Sequence, residues 1–136
     1  MKVKIELDTE PPLTFCSEQK LLLQPYSFMM RCFTLPDLYA GKMHALVYRV
    51  WQHRVKGRDW YDSEWFVRNE IPLDFRHLQA RIREFNGKGV GLDAFMRQLR
   101  EKIVNTDIEL VKQDVNPYIG EQQRHAVFAL PALFIM

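Results

Sequence analysis

The sequence predicts an α+β fold, mostly α, in which a short N-terminal β-hairpin packs on a bundle of four to five helices. Two patterns predict it. Apolar and polar residues alternate near the N-terminus as in a strand, and apolar residues recur at helical spacing from Thr34 onward. The chain has 136 residues, which suits one domain. We therefore expect a single domain over residues 1–136, with a hairpin part at 1–33 and a helical part at 34–136.

Two strands are expected in the hairpin part. Residues 2–8 (KVKIELD) place apolar side chains on one face and charged side chains on the other, and the prolines at 11 and 12 end this strand. Residues 26–33 (YSFMMRCF) are rich in aromatic and apolar side chains, which favours a second strand. Because two strands alone make a marginal sheet, the hairpin must pack on the helices or pair with further strands.

The first helix is expected directly after residues 34–37 (TLPD), which have the pattern of a capping box with proline in the first turn. The apolar residues at helical spacing in this helix are Leu38, Met43, Leu46, Val47 and Val50. The basic run RVKGRD should end the helix at Gly57.

Four further helices are expected after that glycine. The second of them begins with Asp74, a residue type suited to an N-cap. The expected ranges are 59–69, 74–85, 91–104 and 106–115. Residues 117–136 show no decisive pattern.

The composition is that of an ordinary globular protein, with 47% hydrophobic residues, 26% charged residues and a net charge of +2. These values exclude a disordered chain and give no compositional sign of nucleic-acid binding.

The two cysteines, Cys16 and Cys32, form no CxxC motif, so reduced thiols are expected. The N-terminus lacks the apolar run of a signal peptide, and the apolar residues 126–136 are fewer than the ~20 of a membrane helix. We therefore expect a cytoplasmic protein without a membrane partner.

Positive charge recurs along the first helix. Lys42 and Arg49 are seven residues apart, so they lie about two turns apart on one line of an ideal helix, and His53 and Lys56 extend the charge. Such a line suits a polyanion, because lysine supplies a compact charge and arginine a bidentate fork for phosphate. The alternative is an ordinary solvated helix face.

Two aspartates follow. Asp59 and Asp62 lie at positions i and i+3, so they face the same way on a helix. Paired carboxylates can hold Mg²⁺ or accept a proton from an attacking hydroxyl group. In the alternative interpretation, Asp59 caps the helix and Asp62 pairs with Arg58 or Lys56.

Glu6, on the polar side of the N-terminal strand, faces either solvent or the same site. The four histidines show no spacing typical of a zinc site.

Residues 34–49 (TLPDLYAGKMHALVYR) and 55–62 (VKGRDWYD) together resemble the AbiEii/AbiGii family of abortive-infection toxins, which have a nucleotidyltransferase fold and a separate antitoxin. The resemblance covers residues 1–70 well and residues 107–119 more loosely. The lysine motif of the family, with its K-x6-R spacing, matches Lys42 and Arg49. Its RDxYD motif matches Arg58, Asp59, Tyr61 and Asp62.

The resemblance implies transfer of a nucleoside monophosphate from a nucleoside triphosphate (NTP), with Mg²⁺ as cofactor and, in some members, the 3′ end of tRNA as acceptor. The implied catalytic residues are Lys42, Asp59 and Asp62, with Asp59 preferred among the acids because it follows Arg58 at the helix entrance. The implied phosphate-binding residues are Lys42, Arg49 and Arg58. The candidate Mg²⁺ ligands are Asp59 and Glu6.

The Gly-Gly or Gly-Ser turn and the D-x-D strand of the family do not occur in the 136 residues. Since those motifs hold the metals and the nucleotide, we expect a truncated C-terminal portion of an AbiEii-like enzyme, inactive or incomplete alone. One alternative is a non-catalytic protein that binds an antitoxin, or itself as a homodimer, through a strand edge and the apolar tail. Another is a small nucleic-acid-binding module using the basic residues Lys42, Arg49, His53, Arg54, Lys56 and Arg58.

Overall fold

The computed structural model describes residues 5, 7, 9–50 and 55–119. This part of the chain forms two strands and five α-helices, which confirms the α+β, mostly α class. The elements are β1 (Ser17–Leu22), β2 (Phe28–Phe33), α1 (Leu35–Tyr48), α2 (Gly57–Arg68), α3 (Phe75–Asn86), α4 (Leu92–Val104), α5 (Ile108–Val115) and a 3₁₀ turn (Asn116–Tyr118).

The hairpin is antiparallel, with a register that runs from Ser17 opposite Phe33 to Leu22 opposite Phe28. The predicted strand at 26–33 is confirmed as β2, but its partner is β1 rather than residues 2–8. The sequence did not reveal β1 because its side chains are mostly exposed on both faces, so no apolar-polar alternation is needed.

The predicted N-terminal strand falls mainly on residues that the structure does not describe. Ile5 and Leu7, which are described, are largely exposed, so the prediction that they form a buried face is wrong. Glu6 lies outside the described residues.

Asp37 joins the hairpin to the first helix. Its carboxylate accepts a hydrogen bond from the backbone N–H of Cys16 at 3.0 Å and another from the hydroxyl of Thr34. The backbone N–H of Thr34 in turn donates to the carbonyl of Cys16 at 3.2 Å. The expected capping box is therefore wrong in detail: Thr34 is the N-cap residue, but its side chain bonds to Asp37 instead of the helix backbone. Both cysteines are free thiols, as predicted.

The helices lie close to their predicted ranges. Asp74 caps α3, as predicted: its side chain accepts a hydrogen bond from the backbone N–H of His77 at 2.9 Å. The boundary between the first two helices differs: α1 ends at Tyr48, and Gly57 is the first residue of α2 instead of a break after α1. The reason is packing, because a Cβ atom at Gly57 would lie 2.5 Å from the carbonyl oxygen of Val111 and 2.6 Å from Val115 Cγ2. The glycine lets α2 begin directly against α5.

The core lies where α1 packs on α2 and α3, with α5 against α2. Its largest fully buried apolar side chains are Trp60, Phe95, Met43, Leu46, Leu78, Ile82 and Val111. These residues come from all five helices, so the bundle fixes the relative positions of α1, α2 and α3. Within the described residues, none of the helices is long and apolar enough to cross a membrane.

Two glycine substitutions should change stability in opposite directions. Gly57→Ala places its Cβ against the backbone of α5 and should lower the free energy of unfolding by about 1–3 kcal/mol, the usual cost of overpacking. Gly41→Ala in α1 is the matched control, because its Cβ meets nothing within 4 Å and should raise the free energy of unfolding by about 0.5–1 kcal/mol. Urea unfolding measures both. Equal effects of the two variants would contradict the close approach of α2 to α5.

Candidate active site

The basic line and the aspartate pair predicted from the sequence meet between α1 and α2. Lys42 Nζ lies 2.5 Å from Asp62 Oδ2 and 3.8 Å from Asp59 Oδ1. Arg49 Nη1 lies 3.3 Å from Asp59 Oδ2. The two cations and two carboxylates therefore form one connected cluster, which we call the α1–α2 ion cluster.

Local structure explains how these four residues meet. Asp59 lies in the first turn of α2, where a negative charge is stabilised by the helix dipole, and Asp62 follows on the same face. Arg49 is the C-cap residue of α1, with extended backbone dihedrals, and its N–H donates to the carbonyl of Ala45. Its side chain can therefore reach across to the start of α2.

The alternative interpretation of the aspartates does not match this geometry. The N-cap of α2 is Lys56, not Asp59. Asp62 pairs with Lys42, and among the described residues it forms no ion pair with Arg58 or Lys56. Asp59 is almost fully buried, whereas the side chains of Lys42 and Asp62 are 33% and 31% exposed. The cluster therefore has a fixed buried end and an accessible end.

A cavity of about 250 Å³ opens beside this cluster, and we call it the cationic cavity. Its charged lining comprises four cations against two carboxylates, namely Lys42, Arg49, Arg58, Arg81, Asp37 and Asp59. Arg58 is exposed, and no ion pair involves it in the described ranges. The excess of positive charge makes the cavity suitable for an anion with several charges, such as a di- or triphosphate.

Arg81 and His77 line the cationic cavity, and sequence reasoning missed both. They lie on α3 at positions i and i+4, so a charge pattern along that helix was the available signal. The Nε atom of Arg81 is buried without a hydrogen-bond partner among the described residues, and its guanidinium carbon lies 5.7 Å from the ring centre of Phe85. Arg81 thus brings a third helix to the site.

His77 holds the end of the cavity that is closest to the hairpin. Its ring Nδ1 lies 2.9 Å from Thr14 Oγ1, and its ring packs edge-on against Phe15. Burial lowers the pKa of His77, and the charge of Arg81 lowers it too, against the opposing effects of Asp37 and Asp74. His77 is therefore neutral near pH 7 and serves to anchor the segment before β1.

The described carboxylates do not fit a magnesium site by themselves. Both oxygens of Asp59 already contact a cation, and Asp62 pairs with Lys42. Within the described ranges, no three His, Cys, Asp or Glu side chains converge as metal ligands do. The other candidate ligand, Glu6, lies outside the described residues, as do His53 and Arg54 of the basic line.

The chain matches the family model described as "Nucleotidyl transferase AbiEii toxin, Type IV TA system" over residues 1–129. It belongs to this family. The match confirms the resemblance inferred from the lysine and RDxYD motifs and extends it over nearly the whole chain. No curated protein and no solved structure is significantly similar to the chain.

Membership of the AbiEii family gives the α1–α2 ion cluster a functional context. The family is one of nucleotidyltransferase toxins in toxin–antitoxin systems, so an antitoxin is a possible partner at the family level. Such chemistry requires groups that neutralise phosphate charge and groups that position the reactants. The AbiEii chain places four cations and two carboxylates at one cavity.

A histidine behind the cluster should make stability depend on pH. His44 lies between the rings of Tyr48 and Phe85, and burial, followed by the positive charges of Arg81 and Arg49, lowers its pKa from 6.5 to about 4. At pH values between about 4 and 6.5, His44 binds a proton in the unfolded chain but not in the folded chain. The free energy of unfolding should therefore fall as the pH falls from about 6.5 to about 4.

The variant His44→Phe tests this because it keeps an aromatic ring and removes the titration. Its urea-unfolding free energy should depend less on pH between 4 and 6.5 than that of the unmodified chain. Parallel curves for the two proteins would show that His44 titrates normally.

Proposed function

We propose that the chain binds the triphosphate of an NTP in the cationic cavity and takes part in nucleotidyl transfer to an RNA hydroxyl group, as in tRNA. The observation that carries the proposal is the cluster of Lys42, Arg49 and Arg58 around the buried Asp59 at the wall of that cavity. At about 250 Å³ the cavity is smaller than the ~300–1,000 Å³ of most whole-ligand pockets, so it suits the triphosphate alone.

The positions of the cations assign them different tasks. Arg49 contacts only the buried Asp59 among the described ion pairs and stays beside it, whereas Lys42 can move from the partly exposed Asp62 to a phosphate oxygen. Arg58, exposed at the rim, supplies a bidentate guanidinium group. The carboxylate of Asp37 also lines the cavity and repels phosphate, so the proposal seats the anion against Lys42 and Arg58.

The two aspartates differ in burial, and this separates their roles. Asp59 positions Lys42 and Arg49 from within the protein. Asp62 becomes available to accept a proton when Lys42 turns to the phosphate. In the transfer step, the acceptor oxygen forms a bond to the α-phosphorus and its proton passes to the carboxylate. The bond from the α-phosphorus to the bridging oxygen breaks, and pyrophosphate leaves.

Mg²⁺ enters this proposal as part of the substrate, since NTPs are bound by Mg²⁺ in solution, and no step is assigned to it. The sequence contains no D-x-D motif, and the described carboxylates form no metal site. We therefore propose that the chain alone transfers nucleotides weakly or not at all, and that binding is its measurable activity.

The variant Lys42→Met tests the binding proposal. Isothermal titration calorimetry with inorganic tripolyphosphate should show an affinity at least about tenfold lower than that of the unmodified chain, because one charge-assisted contact is lost. Lys88→Met, which removes an exposed lysine after α3, is the control and should leave the affinity unchanged. Equal affinities of the two variants would show that Lys42 does not bind phosphate.

Incubation with labelled NTPs, Mg²⁺ and tRNA addresses the transfer step. Efficient labelling of the tRNA would contradict the proposal that the chain alone transfers nucleotides weakly or not at all. Labelling that Lys42→Met leaves unchanged would show that the site is wrongly assigned.

The hairpin supports a second candidate function, the binding of a protein partner. Leu21 and Met29 face each other across β1 and β2, and their side chains are 57% and 56% exposed. Phe28, Met30 and Phe33 are also exposed, and each strand has one edge without a partner in the described ranges. Apolar side chains beside open strand edges are typical of an interaction surface. An antitoxin or a second copy of the chain would cover it.

The double variant Leu21→Lys with Met29→Lys tests self-association. By size-exclusion chromatography with light scattering, the unmodified chain should shift from monomer to dimer with rising concentration, and the variant should stay monomeric. The control Gln19→Lys places one charge on the same face at the next residue pair, opposite Arg31, keeps the apolar pair intact and should still dimerise. An unmodified chain that is monomeric at every concentration would exclude a second copy as the partner.

A further inference from the structure

A second cavity of about 520 Å³ lies next to the cationic cavity, and we call it the tyrosine cavity. Val115 and Ile119, both buried, form its apolar part. The side chains of Tyr61 and Tyr118 provide two aromatic rings. Neither Tyr118 nor the cavity itself is used in the phosphate contacts described above.

The two cavities are adjacent along α2 and share one lining residue. Arg58 lines both of them. Asp62 lines the tyrosine cavity, and its carboxylate lies 2.5 Å from Lys42 Nζ, which lines the cationic cavity. Arg58 and Asp62 are four residues apart on the helix, about 6 Å along its axis, so one extended ligand could reach from one cavity into the other.

The floor of the tyrosine cavity lies where α5 packs on the start of α2. The N–H of Gly57 donates to Asp114 Oδ2 at 2.9 Å, and the missing side chain of Gly57 allows the backbone of α2 to touch α5. Val115 is therefore held against the start of α2, the helix that carries Tyr61. Tyr118, on the 3₁₀ turn after α5, is 81% exposed, so its ring can change rotamer to cover a ligand.

The chemistry of this cavity matches a nucleoside. Aromatic side chains stack on nucleobases of any type, and an apolar floor excludes water from the base. The volume lies within the range of about 300–1,000 Å³ that is typical of ligand pockets. Arg58 lines both cavities, so it marks where the phosphates of a nucleotide in the tyrosine cavity would continue into the cationic cavity.

We propose that the tyrosine cavity binds the nucleoside of the same NTP whose triphosphate lies in the cationic cavity, with its base stacked on Tyr118 and Tyr61. This inference rests on the proposed function. It adds a ligand contact to residues that neither the lysine motif nor the α1–α2 ion cluster includes.

The test compares each of the four NTPs with inorganic tripolyphosphate by isothermal titration calorimetry in Mg²⁺ buffer. The unmodified chain should bind at least one NTP about fivefold or more tightly than tripolyphosphate, since the base adds a stacking contact. Tyr118→Ala should remove this advantage and leave tripolyphosphate binding unchanged. Tyr118→Phe, which keeps the ring, should bind NTPs as the unmodified chain does.

Tyr26→Ala is the matched control, because Tyr26 is 80% exposed and lies in the hairpin turn away from the cavity. It should bind every ligand as the unmodified chain does. The proposal is overturned if Tyr118→Ala retains the NTP advantage, or if NTPs and tripolyphosphate bind the unmodified chain equally.

Two outcomes separate this inference from the proposed function. In the first, Lys42→Met weakens tripolyphosphate binding, but the unmodified chain binds NTPs no more tightly than tripolyphosphate. This result would overturn the inference and leave the proposed function standing. NTP binding that depends on Tyr118 but not on Lys42 would support the nucleoside site and contradict the triphosphate site. If Tyr118→Ala weakens binding only of a short RNA without a triphosphate, the cavity holds the acceptor and the inference is wrong.

Discussion

The structure depends above all on the buried carboxylate of Asp59, which lies between Lys42 and Arg49. A buried charge without partners costs several kcal/mol, so Asp59 requires both cations to stay near it. Because one cation lies on α1 and the other at its C-cap, this requirement fixes the angle and distance between α1 and α2. The same requirement places positive charge at the wall of the cationic cavity. The ion pairs of Asp59 with Lys42 and Arg49 therefore contribute both to the fold and to the candidate site.

Much of this arrangement could be predicted from local sequence. The seven-residue spacing of Lys42 and Arg49 and the three-residue spacing of Asp59 and Asp62 depend only on helix geometry. The cap at Asp74 depends on three neighbouring residues and was also predictable. The order of the helices followed from apolar periodicity, and the family motif indicated that the lysine and the aspartates act together.

Features that depend on distant parts of the chain could not be predicted. β1 has no alternating pattern because its side chains are mostly exposed on both faces, and only its pairing with β2 identifies it. Gly57 appeared to be a helix breaker, but its role is to let α2 touch α5, whose residues are more than fifty positions away. Arg81 and Tyr118 reach the two cavities from α3 and from the turn after α5. The i, i+4 spacing of His77 and Arg81 was a weak local signal for Arg81, and nothing adjacent in the sequence marks Tyr118.

The pairing of Lys42 with Asp62 means that the site carries its own counter-ion. An incoming anion must displace the Asp62 carboxylate, which is tethered and therefore always present at high local concentration. In the proposed function, a singly or doubly charged anion would compete poorly for the ammonium group, whereas a triphosphate would gain further contacts from Arg49 and Arg58 once Asp62 is displaced. Under the proposed function, the Asp62 carboxylate would set a threshold on ligand charge and would disfavour inorganic phosphate and nucleoside monophosphates by electrostatics alone.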